Sequence, residues 1–496
     1  MPNKHLLGAT AALLCLRFVT AFLIDLTPQE AYYWNYAMHP ALSYFDHPPM
    51  VAWVIGAGYF LLGKCELGVR IGGFFLTVLS TWLLYALGKF WFNKRVGLWA
   101  ALLFQLLPLF FVYGVLITPD VPLTCFWLLT LYLFSIALHE DQKWAWYLAG
   151  AALGLSMLSK YTGVFLVPSA FFFLILHRRY RQWLLRKEPY LALVVALIVF
   201  TPVILWNIEH GWTSFVFQVS DRLSEETSHP LRRLVEFLLL QLGATSPMLL
   251  VGLLLSSAIP VSLSTKDRRL KWSFCLLFSA PLLIFFLFFS TRSSVKANWT
   301  LPGYLSLLIA AYPAYRYLRF NSGARMKQVA RYFLLAWFYA LPIVYIVAVY
   351  HSTVTIPKVT VHHWTTGWKE LGRVVGKEAI AFEAETGNKV FILGLDTYNL
   401  AATLSFYTDH SHEGFPRNLV GRRARAFDYW TQRIDPVGLN ALAVELEAPD
   451  LEKLRKYFTR VDENVRHIAV MKGERLLYYV YLVRCFGYLG RPSQLY

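Results

Sequence analysis

Two carboxylates fall in short polar stretches between apolar runs: Glu30 within Thr27-Pro28-Gln29-Glu30-Ala31-Tyr32-Tyr33-Trp34, and Asp46 within Tyr44-Phe45-Asp46-His47-Pro48-Pro49. A carboxylate left uncompensated in hydrocarbon costs roughly 2.5–3.5 kcal/mol even on lenient insertion scales, so acids at a bilayer edge are paired, wetted or functional. Further polar groups gather at Thr118-Pro119-Asp120, at Ser159-Lys160-Tyr161, from Asn207 to Arg222, and from Arg292 to Trp299. A carboxylate can take the proton of an acceptor hydroxyl, and cations can neutralise a departing phosphate. Glu30 and Asp120 are the candidates for the base, because partial burial beside Tyr32, Tyr33 and Trp34 raises a carboxyl pKa toward the working range. Lys160, Arg292 and Lys296 are the candidate counter-charges, lysine as a point charge and arginine as a fork. Asp46, His47, Tyr33, Tyr161 and Trp299 complete the expected substrate-binding set.

The elements that must hold these groups are membrane helices. Of the 496 residues, 57% are hydrophobic and 16% charged, which is more apolar than ordinary soluble domains. Runs of about 17–25 apolar residues can cross a ~30 Å core, and about eleven are expected. Their cores are 6–24, 67–88, 96–116, 121–138, 144–158, 161–176, 191–206, 234–262, 272–290, 300–315 and 332–351. The fifth and sixth are short, and their junction at Ser159–Gly163 reads as a shallow hairpin. The first is read as an uncleaved helix, since no small-x-small cleavage pattern follows it.

The net charge of +17 excludes no partner by itself, but the basic residues follow alternate spans, at Lys89–Arg95, Arg178–Lys187, Lys266–Lys271 and Arg316–Arg331. That is the positive-inside pattern of a membrane protein, and nucleic acid is not expected as a partner. The loops that hold Glu30, Asp46, Asp120, Lys160, His210 and Lys296 then face outward. From about residue 352 the composition turns polar. Strand-like runs at Val390–Leu393, Ala441–Val444, His467–Val470 and Leu477–Val483 alternate with helical stretches such as Pro449–Phe458. The expected architecture is a mainly α polytopic bundle over 1–351, with an extracytoplasmic α/β domain over 352–496. Among the five cysteines no CxxC pair occurs, and only Cys65 and Cys485 could both face an oxidising compartment.

Neither G-x-G-x-x-G after a strand nor a P-loop is present, so a nucleotide-bound substrate is not indicated. A sugar carried on a polyprenyl phosphate fits the outer face instead, its tail between helices and its phosphosugar at the interface. Plainer roles stand beside these. Glu30 and Asp120 could cap helices, and Asp46-His47 could be an ordered turn or, with His210, part of a divalent metal site. Lys160 could snorkel, and Trp212 and Trp299 could anchor the interface. A transporter or flippase of lipid-linked sugars is the rival class, but such proteins place charges near the midplane within internal repeats. A scaffold subunit would leave the acidic loops without a role.

Six segments together resemble bacterial glycosyltransferase family 39, the group related to protein O-mannosyltransferases, lipid A aminoarabinose transferase and rhizobial lipid A galacturonosyltransferases. They are Gln29–Trp34, Tyr44–Pro49, Thr118–Pro122, Ser159–Gly163, Asn207–Trp212 and Val295–Trp299, with weaker similarity at Gly394–Tyr407 and Arg425–Trp430. The resemblance implies a GT-C fold in the bacterial inner membrane and an inverting transfer from a polyprenyl-phosphate sugar to a lipid, glycan or protein acceptor. Under it Glu30 stands second in the family's Asp-Glu pair, Asp46 in its aromatic-acid-x-Pro-Pro turn, and Asp120 as its second-loop acid. Gln29 departs from the pattern, where many relatives have Asp. A neutral amide cannot act as a base, which moves that task to Glu30 or Asp120 and puts any metal in doubt.

Overall fold

The computed structural model of the chain describes residues 3–221, 229–245, 266–321, 324, 328, 366–408, 414–430 and 436–490. In chain order the longer helices are α1 (Asn3–Leu23), α2 (Pro28–Met38), α3 (Met50–Leu62), α4 (Glu66–Trp91), α5 (Lys94–Leu106), α6 (Pro108–Val115), α7 (Asp120–His139), α8 (Lys143–Ser159), α9 (Leu166–Leu176) and α10 (Glu188–Glu209). They continue with α11 (Pro230–Thr245), α12 (Lys266–Leu277), α13 (Ala280–Phe289), α14 (Leu301–Asn321), α15 (Trp368–Thr386) and α16 (Asn399–Tyr407). The strands are β1 (Val390–Gly394), β2 (Gly414–Pro416), β3 (Asn440–Glu445), β4 (Phe458–Val461), β5 (Arg466–Lys472) and β6 (Arg475–Tyr488). The chain divides into two compact units, one of residues 1–21, 47–54 and 70–350, the other of 22–46, 55–69 and 351–496.

Among the described residues five helices are long and apolar enough to cross a bilayer: α1, α4, α7, α10 and the stretch Asp267–Phe289. A sixth crossing is made if α5 and α6 count as one span broken by 70°. The expectation of about eleven is therefore met in part. The stretch Tyr161–Leu176 is a shorter apolar helix, α8 has 17 residues, and the expected span 332–351 lies outside the described residues. The apolar α3, 13 residues long, is absent from the expected elements, because the prolines and acid just before it read as loop.

The helical unit is packed as lipid-facing bundles are, by close approach and aromatic contact. A Cβ on Gly150 of α8 would collide with the backbone of Ala192 in α10, so only glycine allows this pair to close. At the centre Trp91 stacks on Phe274 at 4.1 Å, with Trp127, Phe134 and Phe173 buried around it. Arg17, in α1, is fully buried. Its Nη2 donates to the carbonyls of Phe104 at 2.9 Å and Gln105 at 3.3 Å. A cation at a helix C-terminus gains about 0.3–1 kcal/mol when exposed and up to ~2 when partly buried. That gain offsets much of the roughly 2.5–3.5 kcal/mol an intramembrane arginine costs on insertion scales.

The second unit is an α/β layer. Its sheet runs β2-β1-β3-β6-β4, with β5 also paired to β6. The strands β1, β2 and β3 are mutually parallel, and β6 is antiparallel to β3, β4 and β5. Alternation along β1 sends Val390 and Ile392 into a core with Leu371 and Val375 of α15 and Leu400 of α16. Phe391 and Leu393 go to the opposite core, with Phe415, Leu419 and Phe458. All four expected strand runs are strands. The short β2 and β4, of three and four residues, carry too little pattern to be read. Cys65 and Cys485 are both free rather than bridged, because Cys485 is buried in β6 and the Cys65 sulfur accepts from the Gly68 amide.

Candidate functional site

In the second unit, α2 begins at a capping box. Thr27 Oγ1 accepts from the Glu30 amide at 3.2 Å, and Glu30 Oε2 accepts from the Thr27 amide at 2.9 Å. Pro28 fits the first helical position, where a backbone N–H would have no partner within the helix. Glu30 is fully buried, and its carboxylate thus has a defined structural task. Gln29 Nε2 donates to the Tyr33 hydroxyl, one turn on, at 3.1 Å, so the residue that departs from the family pattern is used to orient an aromatic ring.

Asp46, which is 3% exposed, sits in a cage of donors. Oδ1 accepts from the Tyr32 hydroxyl at 3.0 Å and from Tyr36, and Arg425 lies 3.5 Å from Oδ2. Burial, together with the charge on Asp46, pushes the Tyr32 and Tyr36 phenols well above the usual tyrosine range. Both therefore remain donors at any working pH. Burial opposes the charge of Arg425, but Asp46 together with the phenols of Tyr32, Tyr398 and Tyr36 outweighs it and keeps the guanidinium protonated. The amide of the next residue, Ala426, also donates to the Tyr32 hydroxyl, and the Tyr32 ring lies 4.3 Å from that of Tyr398. A second tie runs from the Leu26 amide to the Tyr407 hydroxyl, which donates to Glu66, itself paired with Lys369 at 2.8 Å.

In the helical unit, three of the segments singled out from sequence meet. Lys160 Nζ is 2.8 Å from Asp120 Oδ1, and Asn298 Nδ2 donates to Asp120 Oδ2 at 2.7 Å. Asp120, Lys160 and Asn298 are 2%, 7% and 5% exposed. Asp120 stands in the first turn of α7, where the helix dipole favours its charge, and its side chain is held by Lys160 and Asn298. Lys160 is the extended residue between α8 and the 3-10 turn Tyr161–Phe165, and it points inward rather than snorkelling. Asn298 starts from its own 3-10 turn, Ala297–Thr300. Among the described residues the Asn298 Oδ1 has no hydrogen-bond partner, which leaves one acceptor at the cluster.

The other expected residues are placed as follows. The Tyr161 hydroxyl bonds Ser214 Oγ at 2.5 Å. His210 stacks on Trp206 at 4.1 Å and its Nδ1 contacts the Trp206 carbonyl, closing a turn in which Gly211 and Trp212 both take positive φ. The side chains of Arg292 and Lys296 are exposed, His47 is half-buried, and Trp299 packs between Phe286 and Phe289. Among the described residues no group of three His, Cys, Asp or Glu side chains could hold a metal. The surroundings of Asp46, two phenols and a guanidinium, suit an anion and not a carboxylate offered to a divalent cation. Tyr32, Tyr36, Asn298 and Arg425 were not among the expected site residues. Tyr32 and Arg425 lay in segments that resemble the family, but nothing in sequence joined them or Tyr36 to Asp46, since aromatic belts are general and Arg425 is 379 positions away.

Residues 46–206 match the family model described as dolichyl-phosphate-mannose-protein mannosyltransferase. The lipid A galacturonosyltransferase RgtD of Rhizobium johnstonii is 26% identical over 311 residues, which is 62% of this chain and 63% of that protein. An undecaprenyl phosphate-α-4-amino-4-deoxy-L-arabinose arabinosyl transferase of Erwinia tasmaniensis is 30% identical over 169 residues, covering 32% of this chain and 30% of the relative. The match thus spans a little under two thirds of the first relative and under a third of the second. Among solved structures, ArnT of Cupriavidus metallidurans bound to undecaprenyl phosphate superposes with a TM-score of 0.64 at 17% identity, over 97% of this chain and 98% of that one. The polytopic chain accordingly has the GT-C fold of that structure.

Proposed function

We propose that the protein is a glycosyltransferase that moves a sugar from a polyprenyl-phosphate donor to a hydroxyl of a lipid, glycan or protein acceptor, with inversion, on the periplasmic face. The observation that carries this reading is the buried Asp120–Lys160–Asn298 cluster, a carboxylate and an ammonium contributed by separate outward segments of one fold. The donor class follows the name of the Erwinia tasmaniensis relative, an undecaprenyl phosphate-linked arabinosyl transferase, and both relatives are named as transferases and not as transporters.

In the proposed reaction the acceptor oxygen attacks the anomeric carbon, the bond from that carbon to the phosphate oxygen breaks, and the electron pair leaves on the polyprenyl phosphate. The acceptor proton goes to Asp120. The Lys160 ammonium has three donors and spends one on Asp120 Oδ1. An arriving phosphate draws the ammonium toward itself and frees Asp120 Oδ1 to accept the proton. The exposed Arg292 and Lys296 add positive charge for the phosphate. Glu30 is assigned to positioning α2, and Asp46, with Arg425, to binding.

Mass analysis of envelope lipids and glycoproteins from cells with and without the gene tests this. One lost sugar of defined mass, restored by the wild-type gene and not by Asp120→Asn, is the expected result. An unchanged envelope in the deletion strain would overturn the proposal.

A further inference from the structure

We propose that Arg17 is a positioning residue, whose guanidinium fixes the break between α5 and α6 and thereby sets where Asp120 stands. The inference rests on the reading of the Asp120 cluster as the reacting site. Pro108, which opens α6, has no N–H, so the carbonyl of Phe104, four residues earlier, loses the amide that a continuous helix would supply. Arg17 Nη2 takes that place at 2.9 Å and also reaches the Gln105 carbonyl at 3.3 Å. The guanidinium lies 5.1 Å from the Phe111 ring, in α6, and 5.6 Å from Phe104, in α5, so one planar group touches both sides of the 70° bend. Gly114 makes room for it: a Cβ there would collide with Arg17 Nη1.

The bend has a direct route to the cluster. After α6 ends at Val115, only residues 116–119 precede Asp120, and of these Ile117 and Thr118 are 1% and 2% exposed. A buried link this short has little slack, so a change in the angle of α6 displaces Asp120 from Lys160 and Asn298, which are held by other elements. A lysine at position 17 keeps the charge but is a point donor, and it cannot reproduce the planar contact with both halves of the span.

The test uses the full chain in nanodiscs. Lys160 is buried and ion-paired, so its labelling by an amine-reactive ester reports whether the cluster is assembled, without any assay of transfer. Cys275, fully buried in the bundle core, reports unfolding through a thiol reagent. Arg17→Met and Gly114→Val are expected to raise Lys160 labelling about tenfold, with Cys275 still protected, and Arg17→Lys to restore part of the protection. Should Arg17→Met also expose Cys275, Arg17→Lys becomes the deciding variant. Lys160 as protected in these folded variants as in the wild type would overturn the inference. Increased labelling in the variants of a protein whose wild type transfers no sugar would instead remove the functional reading and leave the role of Arg17 standing.

Discussion

Asp120 and Glu30 show how the same kind of side chain can be read two ways until its hydrogen bonds are known. Both are acids at the first turn of a helix, where the dipole favours negative charge. Glu30 closes a capping box, whereas Asp120 makes no cap and binds Lys160 and Asn298. Asp120→Asn is therefore expected to lower transfer by about 10²–10⁴-fold, the usual worth of a general base. Lys160→Met should fall similarly, and the double variant should be little worse than either single one, because residues that act as a unit are not additive. A double variant showing the product of the two losses, in a transfer assay on membranes, would separate their roles. Glu30→Gln, by contrast, is expected to keep activity per folded molecule within a few-fold.

At the scale of elements, the start of α2 and the start of α15 carry the testable consequences. Thr27→Ala removes a side-chain cap worth about 1 kcal/mol and should lower the thermal midpoint of the purified protein without changing its products. At the start of α15, Asp25 Oδ2 accepts from the amides of Gly367 and Trp368 at 3.0 and 3.2 Å. Burial, and then the nearby Glu370 carboxylate, raise the Asp25 pKa above its ordinary value of 3.8. A carboxyl whose folded pKa is raised favours folding below the unfolded pKa and loses that contribution as pH rises through the folded one. Asp25→Asn, which can still cap, should therefore be the more stable protein at neutral pH, with the advantage shrinking toward pH 4. Thermal unfolding across pH checks it, and a variant that is less stable at neutral pH would contradict this account of the helix start.

At the scale of the whole molecule, the charge pattern makes a prediction independent of chemistry. In a cysteine-free background, Glu474→Cys, on the exposed turn between β5 and β6, should react with an impermeant thiol reagent in cells whose outer membrane alone is opened. Lys187→Cys, in the exposed basic segment before α10, should react only after the inner membrane is breached. The reverse pattern would invert the assigned orientation. The two units also differ from a simple division along the chain. The second contains residues 22–46 and 55–69 as well as the tail, because Tyr32, Leu26 and Glu66 hydrogen-bond with residues more than 340 positions away.

The membrane class, the long spans, the four longer strands and the candidate residues Asp120 and Lys160 could be read from order alone, since hydropathy, charge asymmetry and period-two alternation are local properties. The broken span at Leu107 could not, because an uninterrupted apolar run hides a bend that one proline and one distant arginine produce. Arg17 itself left a trace in sequence, a lone charge within an apolar run, which is as costly in lipid as the outer acids. Only the folded chain decided which acid caps and which pairs, that Asn298 rather than Trp299 meets Asp120, and that Arg425 stands at Asp46. The physical reason is common to all of these: a carboxylate takes its role from the donors within hydrogen-bond reach, and those donors come from segments that folding, not sequence proximity, brings to it.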